Sequence, residues 1–458
     1  MLKRISAQFA HDDVKAGGAA ERTMGLRRTF MLWLAANMVV TTLLTGTLFV
    51  PGVSYGTAVL MIVLGTLVGV TVLALVGNMG TRTGMPTMVL TRGSFGARGG
   101  KFPAVLNLAV LMGWSWIQAL LAGITVNYAV ESFTGFSSVA LFTVLCQGTV
   151  VLLALFGHRG IERIEPYLAL VLVGLAAYVL FRVFSQFSLA DLGGIPVDPS
   201  LGFTPAIAFD VVVATAISWT VLSADFNRNA KGQRTGILGT VGGYTSSTVL
   251  SMTLGATAIS YAILSGGTVA VFDPTLLVEN FGFAAALVVF LSVMATNTLV
   301  VYGMVMSYLN LNPRSGFLAP ALVLGGISIV GALWQGILDR FLDFLFLIGT
   351  FFVPVFAIML ADYFILRRGR YLAEDLLKGR DGAYWFSGGF NPAAWAAYIV
   401  GAGLAFYWTQ ISPLSLGATL PVFFLTFALY LAISFVLSRR SATAGQPEPR
   451  EAPRREPV

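Results

Sequence analysis

The sequence predicts an all-α polytopic membrane protein of twelve transmembrane helices, with helices 1 and 6 discontinuous. Three observations carry that expectation. The first is composition: 56% of the 458 residues are hydrophobic and 11% are charged, with a mean hydropathy of +0.81. A soluble domain carries about 25% charged residues, so this chain has too few to cover a water-facing surface. The second is run length. A span needs roughly 20 apolar residues. That window finds runs at 29–50, 56–78, 103–128, 137–156, 164–184, 205–226, 236–264, 281–307, 317–337, 341–365, 392–408 and 417–437. The third is charge placement. The N-terminal tail, the loops after spans 2, 4, 6, 8 and 10, and the C-terminal tail hold all of the 28 Lys and Arg except Arg182 and Arg340. One miscounted span would scramble that partition.

The partition predicts both termini in the cytoplasm and the chain in the inner (cytoplasmic) membrane. It also explains the formal charge of +7 as topology rather than as a nucleic-acid surface. The first 28 residues are polar and charged, so they read as a cytoplasmic tail and not a cleaved signal. Residues 29–437 read as a single transporter domain. Residues 438–458, rich in Pro, Glu and Arg, read as a disordered cytoplasmic tail. The outer loops carry Glu131, Asp191, Asp198, Asp273, Glu279, Asp339 and Asp343. They form either a mouth that concentrates cations or ordinary solvated loops.

Span 1 reads FMLWLAANMVVTTLLTGTLFVPG. Asn37, Thr41 and Thr45 fall at i, i+4 and i+8, one stripe of a continuous helix. A mid-membrane Asn is costly unless paired. Asn37 therefore faces a ligand, beside carbonyls near Ala36 freed by unwinding, or makes an interhelical hydrogen bond of about 0.6 kcal/mol. Span 3 contains LMGWSWIQALLAG. Trp114 and Gln118 share a face, while Trp116 points about 200° away from Trp114. An indole beside an amide can stack on a flat heterocycle and bond its edge, stacking being worth roughly 1–3 kcal/mol per base. The alternative is an interfacial belt, although Gln118 lies deep in the span.

Span 6 begins as an apolar run and is then interrupted by Thr215, Ser218, Thr220 and Ser223, with Trp219 among them; it leaves through Asp225 and Arg228. Polar, irregular backbone at this depth is tolerated where it lines a cavity, the mark of a broken transporter helix. The alternative is a span whose hydroxyls bond back to their own carbonyls. Asp225 and Arg228, at i and i+3, read as a structural pair. In span 8, Ser292 and Thr296 share one face, Thr298 and Tyr302 another, and Asn297 points between them. Such hydroxyls with helix-end carbonyls can hold Na+, or can simply bond within and between helices.

No carboxylate lies at mid-depth. Asp225 and Asp362 sit at inner ends of spans, Asp210 and Glu165 near other ends. This favours Na+ held by neutral oxygens over H+ on a buried relay. No HExxH, GxSxG or paired intramembrane acids occur, so the chain is read as a transporter and not an enzyme, with no cofactor. Cys146 is the only cysteine. The Gly-rich RGSFGARGGKFP lacks the context of a phosphate loop. Spans 1 and 6, both polar-interrupted, lie five spans apart. An odd spacing inverts the second unit, which predicts a five-plus-five inverted repeat over about 29–184 and 205–365, with two C-terminal helices at 392–437.

Several stretches together resemble the nucleobase:cation symporter-1 family, most closely its purine–cytosine permease branch. They are LWLAANMVVTTLLTG, RGSFGARGG, GWSWIQ, SWTVLSADFNRNAKG, ATNTLVVYG and LIGTFFVPVFAIMLADYFILRRGRY, in order over residues 30–435. The resemblance implies cation symport by alternating access, around a site between spans 1, 3, 6 and 8. The cargo it implies is a neutral nucleobase, cytosine or a purine first. Hydroxymethylpyrimidine, uracil, allantoin or hydantoin are the related alternatives, and the transporter would act as a monomer. It casts Trp114 as the ring-stacking residue, Gln118 as the edge-binding amide, and Asn37 and Asn297 as polar contacts. Ser218 and Trp219 would serve span 6, with Trp219 replacing an aromatic that relatives carry where Ala216 stands. The family's sodium site implies carbonyls near Ala36 and Ser292 and two adjacent hydroxyls. The second matches Thr296; the first matches Ala295, which has no side-chain oxygen.

Overall fold

The computed structural model describes residues 22–155, 158–267, 269–312, 315–414 and 417–443. The expected tails lie mostly outside these residues. All twelve apolar runs form helices. Six are long and apolar enough to cross a bilayer unaided: Tyr55–Thr83, Lys101–Thr134, Gln233–Ser265, Phe283–Leu311, Phe341–Leu366 and Thr419–Ser438. They are spans 2, 3, 7, 8, 10 and 12. Span 1 is the pair Leu26–Asn37 and Val40–Gly46, bent by 62°. Val139–Leu155, His158–Phe184, Pro205–Thr220 with Ser223–Asn227, Leu318–Gly331, and Pro392–Phe406 with its π-helical extension Tyr407–Ile411 supply spans 4, 5, 6, 9 and 11. Several boundaries differ from expectation by five residues or so: span 2 runs to Thr83, span 3 to Thr134, and span 9 ends at Gly331. Span 5 starts at His158, and the last helix runs on to Thr443.

The expected discontinuities are present. In span 1 the chain turns out of the helix at Met38 and is extended at Val39 (φ −130°, ψ 155°). In a continuous helix the Val40 N–H would bond to the Ala36 carbonyl. It donates instead to Ser292 Oγ of span 8, at 3.2 Å. In span 6 the break falls at Val221–Leu222, between Thr220 and Ser223 of the polar run. Ahead of it, Thr215, Ser218 and Thr220 donate to their own helix carbonyls at 2.8–2.9 Å. The back-bonding alternative thus describes the three hydroxyls before the break, while the Ser223 hydroxyl beyond it has no hydrogen-bond partner among the described residues. Past the break, the Ala224 N–H donates to Thr87 Oγ1, and the Thr87 N–H donates to Asp225 Oδ2, both at 3.0 Å. This reciprocal cap joins span 6 to the short helix Thr87–Phe95. The aspartate is thus held by a helix N-terminus, which welcomes an anion, and the Arg228 charge of the expected i, i+3 pair also acts on it.

Two groups of helices are each fastened by a neutral polar knot. Asn227, at the end of span 6, accepts from Trp33 Nε1 of span 1 at 2.9 Å and donates to Thr240 Oγ1 of span 7 at 2.8 Å. Its carbonyl accepts from Thr81 Oγ1 of span 2 at 2.9 Å. Spans 1 and 7 also touch backbone to backbone. A Cβ on Gly255 would strike the Leu43 carbonyl, and one on Gly46 the Met252 backbone. Spans 3, 4, 8 and 9 meet at Gln147. It donates to Ser115 Oγ at 2.9 Å and Ser328 Oγ at 2.6 Å, and accepts from Asn297 Nδ2 at 2.7 Å.

The connecting segments sort onto two faces. Met24 pairs with the segment after span 6 through Met24 N–H to Asn229 O at 3.0 Å and Lys231 N–H to Met24 O at 2.9 Å. Arg82 reaches Gln233 Oε1 and the Gly369 carbonyl, and Arg92 reaches Asn310. The N-terminal segment and the loops after spans 2, 6, 8 and 10 therefore share one end of the molecule. Loops of the other parity meet elsewhere: Asp198 N–H bonds to Pro51 O, and Phe272 N–H to Thr47 Oγ1, each at 2.9 Å. Among the outer acids, Asp191 forms a capping box with Ser188, whose backbone and hydroxyl hold its carboxyl below the usual range. Asp343 pairs with Arg340 at 3.2 Å. These are ordinary local roles for loop carboxylates. The parity of the faces predicts the topology of the ends. A C-terminal reporter that works only in the cytoplasm should be active, and one that works only outside the inner membrane should be silent.

Candidate functional site

A cavity opens where the two broken helices face spans 3 and 8. Thr41, Thr42 and Thr45 line it from the second half of span 1. Leu111, Trp114 and Gln118 line it from span 3. Thr215, Ser218, Trp219 and Leu222 come from span 6, and Thr296 and Val300 from span 8. Five expected site residues, Trp114, Gln118, Ser218, Trp219 and Thr296, therefore meet in one place.

Among the described residues, no ionisable side chain lines this cavity. A charged ligand would be desolvated without a counter-charge, at a cost of several kcal/mol, so the wall selects a neutral one. Two large indoles supply flat apolar surface. Trp114 is met edge-on by Phe341 and Phe344 of span 10, with ring centroids 5.8 and 5.5 Å away, which restrains its rotamer. Gln118 is 2% exposed, and its Oε1 has no hydrogen-bond partner among the described residues. An unpaired buried acceptor costs about 1–3 kcal/mol, and an N–H from a ligand would satisfy it. The hydroxyls of Thr45, Thr215, Ser218 and Thr296 each donate to a carbonyl of their own helix. What they turn to the cavity is acceptor capacity.

Two expected contacts lie elsewhere. Asn37 is absent from the cavity wall. Its Nδ2 donates to Thr248 Oγ1 at 2.6 Å and Ser247 Oγ at 3.3 Å, and its Oδ1 accepts from Thr42 at 3.1 Å. The stripe reading assumed an unbroken helix. The 62° bend after Asn37 sends Thr41 and Thr45 to the cavity and leaves Asn37 against span 7. Asn297 likewise points away, into the Gln147 knot, as the interhelical alternative has it. Trp116 packs on Gly331 of span 9, away from the cavity, in line with its phase opposite Trp114.

The residues expected around Na+ are partly engaged. Ser292 Oγ serves the Val40 N–H, and the Thr296 hydroxyl hydrogen goes to the Ser292 carbonyl at 3.0 Å. The break frees the Ala36 carbonyl from Val40, and Thr296 Oγ1 keeps its lone pairs. Ala295 adds nothing from its side chain. The oxygens named here are all neutral, and one expected hydroxyl is missing. No cluster of three His, Cys, Asp or Glu suited to a metal occurs among the described residues. Sequence reasoning passed over Gln147 and Ser115, whose one signal was a lone amide and a lone hydroxyl inside apolar runs. It also passed over Leu222 and Val300, which carried no signal at all.

The family model described as "Permease for cytosine/purines, uracil, thiamine, allantoin" matches residues 18–432. A purine-uracil permease of Arabidopsis thaliana is 27% identical over 443 residues, covering 87% of this chain and 71% of that protein. An allantoin permease of Bacillus subtilis is 26% identical, covering 87% and 86%. A hydantoin permease of Microbacterium maritypicum is 24% identical, covering 84% and 82%. In fold, the chain matches Mhp1 in an inward-facing conformation with a TM-score of 0.79 at 19% identity, over 95% of this chain and 96% of that one. It matches closed Mhp1 with bromovinylhydantoin bound with a TM-score of 0.74 at 21% identity, over 94% and 95%.

The two indoles of span 3 make a paired test. Trp114→Ala should weaken binding of a planar cavity ligand by roughly 1–3 kcal/mol, measured by ligand-induced thermal stabilisation. Trp116→Ala should leave the affinity nearly unchanged.

Proposed function

The chain belongs to the nucleobase:cation symporter-1 family of permeases for cytosine/purines, uracil, thiamine and allantoin, and we propose that it imports a neutral nucleobase, cytosine or a purine first, by Na+ symport with alternating access. As a member of that family it is a membrane permease and not an enzyme. The observation that carries the substrate class is the composition of the central cavity. Two indoles and one unpaired carboxamide face a space with no charged wall among the described residues. A flat, uncharged ring with an N–H on its edge answers all three features. Stacking holds the ring without choosing among bases. The amide and the hydroxyl acceptors choose among edges, since a site built around a hydrogen bond rejects a ligand that leaves it unmade. The relatives named for uracil, allantoin and hydantoin carry cargo with the same flat polar edge, so those compounds stand as the alternatives.

Na+ would sit at the break in span 1, among the Ala36 carbonyl, the Ser292 carbonyl and Thr296 Oγ1. The cation's role would be electrostatic. It would tie the restart of span 1 to span 8 and so favour the arrangement in which the central cavity is formed. A ligand shifts such an equilibrium only by its differential affinity for the two states.

The test is a stabilisation screen of the purified protein against nucleobases, hydantoin and allantoin, with and without Na+. Ligands of the fold raise apparent stability. Cytosine or a purine should give the largest shift, and Na+ should enlarge it. A shift confined to hydantoin or allantoin would move the assignment to those compounds.

Coupling has its own mutational test. Ala295→Ser restores the missing hydroxyl and should lower the Na+ needed for half-maximal uptake. Thr296→Ala should remove the dependence. Uptake indifferent to Na+ but abolished by a protonophore would assign the coupling to H+.

A further inference from the structure

A second cavity lies on the basic-loop side of the central one. Leu222, in the break of span 6, lines both. Among the described residues it is the only one they share, so its side chain stands as the partition between them. The polar groups of the inner cavity are Asn107 of span 3, Ser307 and Asn310 of span 8, and Asp225 and Arg228 of span 6. None of these belongs to the central site.

Asn107 is the informative residue. It is 1% exposed, and its Nδ2 donates to Ser307 Oγ at 2.8 Å. Its Oδ1 is buried without a hydrogen-bond partner among the described residues. The wall thus holds an unpartnered acceptor and the donors of the Arg228 guanidinium, whose charge also acts on the Asp225 carboxylate of the same wall. Acceptor and donor in one wall complement an edge on which an N–H adjoins a C=O, the lactam or ureide edge of a neutral heterocycle. No aromatic side chain among the described residues lines this cavity, so it can read an edge but cannot hold a ring by stacking. Met88 and Met306 supply a wall that adapts to different shapes.

We propose that this inner cavity is a second, weaker binding site for the transported heterocycle, occupied after the cargo passes Leu222 and before it reaches the cytoplasm. The inference rests on the function proposed above. Stacking would dominate at the central site and edge recognition at the inner one, so the cargo is handed from a tighter site to a looser one.

The test uses the full-length protein in oriented liposomes and a radiolabelled nucleobase chosen by the stabilisation screen. KM is measured separately for loading from each side, alongside equilibrium affinity. Losing one buried hydrogen bond corresponds to about a fivefold change. Asn107→Ala and Arg228→Gln should each raise the inner-side KM about fivefold, while the outer-side KM and the equilibrium affinity move less than about twofold. Ser307→Ala, which removes the partner of the Asn107 amide but leaves Oδ1, should change neither KM. An unchanged inner-side KM, equal shifts on both sides, or Ser307→Ala behaving like Asn107→Ala would overturn the second site. In each of those outcomes a Trp114-dependent affinity would leave the central site standing. If no heterocycle binds the unmodified protein, both readings fall together.

Discussion

A helix broken inside a bilayer leaves backbone N–H and C=O groups that no water can satisfy, and the architecture of this protein depends on how those groups are met. Each unsatisfied group costs several kcal/mol in hydrocarbon. At the break in span 1, the Val40 N–H is taken by a hydroxyl from span 8. At the break in span 6, the Ala224 N–H donates to the Thr87 hydroxyl and the Thr87 N–H to the Asp225 carboxylate, across two helix ends. Both caps come from other segments, so neither break can exist before the tertiary structure does. The breaks bring irregular backbone to the centre of the molecule, and the central cavity lies there. A continuous helix at either position would close the site.

The polar knots explain why the cavity can exist between two groups of helices. Asn227 fastens spans 1, 2, 6 and 7, and Gln147 fastens spans 3, 4, 8 and 9. Both knots are neutral amides meeting hydroxyls, with an indole N–H at Asn227 and a second amide at Gln147. Interhelical hydrogen bonds in membranes contribute about 0.6 kcal/mol on average, so their weight lies in geometry. An amide with a donor end and an acceptor end fixes the rotation of its neighbours. The contact from Ser292 to Val40 runs between the two groups.

Much of the fold was legible because the bilayer imposes length and charge rules that survive without a structure. The run lengths found twelve helices, and the basic residues sorted the loops onto the two faces that Arg82, Arg92 and Met24 then join on one side. The site was legible where helices are regular. The phase of span 3 separated Trp114 from Trp116 correctly. It was not legible at the breaks. Helical periodicity put Asn37 on the stripe of Thr41 and Thr45, and a 62° bend between them cancelled that inference. Asn297 could not be placed either, because its partner Gln147 is 150 residues away in sequence. Leu222 carries no chemical mark; only the break around it gives it a position.

The Gln147 knot has a consequence for how such a chain can change over time. It joins four helices through side chains that all lie outside the central cavity. Its members cannot be exchanged singly without stranding a buried dipole. The lining residues Leu111, Thr215 and Val300 can be, since each faces the central cavity and none belongs to the knot. Substrate range can therefore drift by small changes on one face of spans 3, 6 and 8, while the opposite face stays under strict selection. One scaffold can in this way serve rings of different size and edge, with the frame inherited and the lining renegotiated.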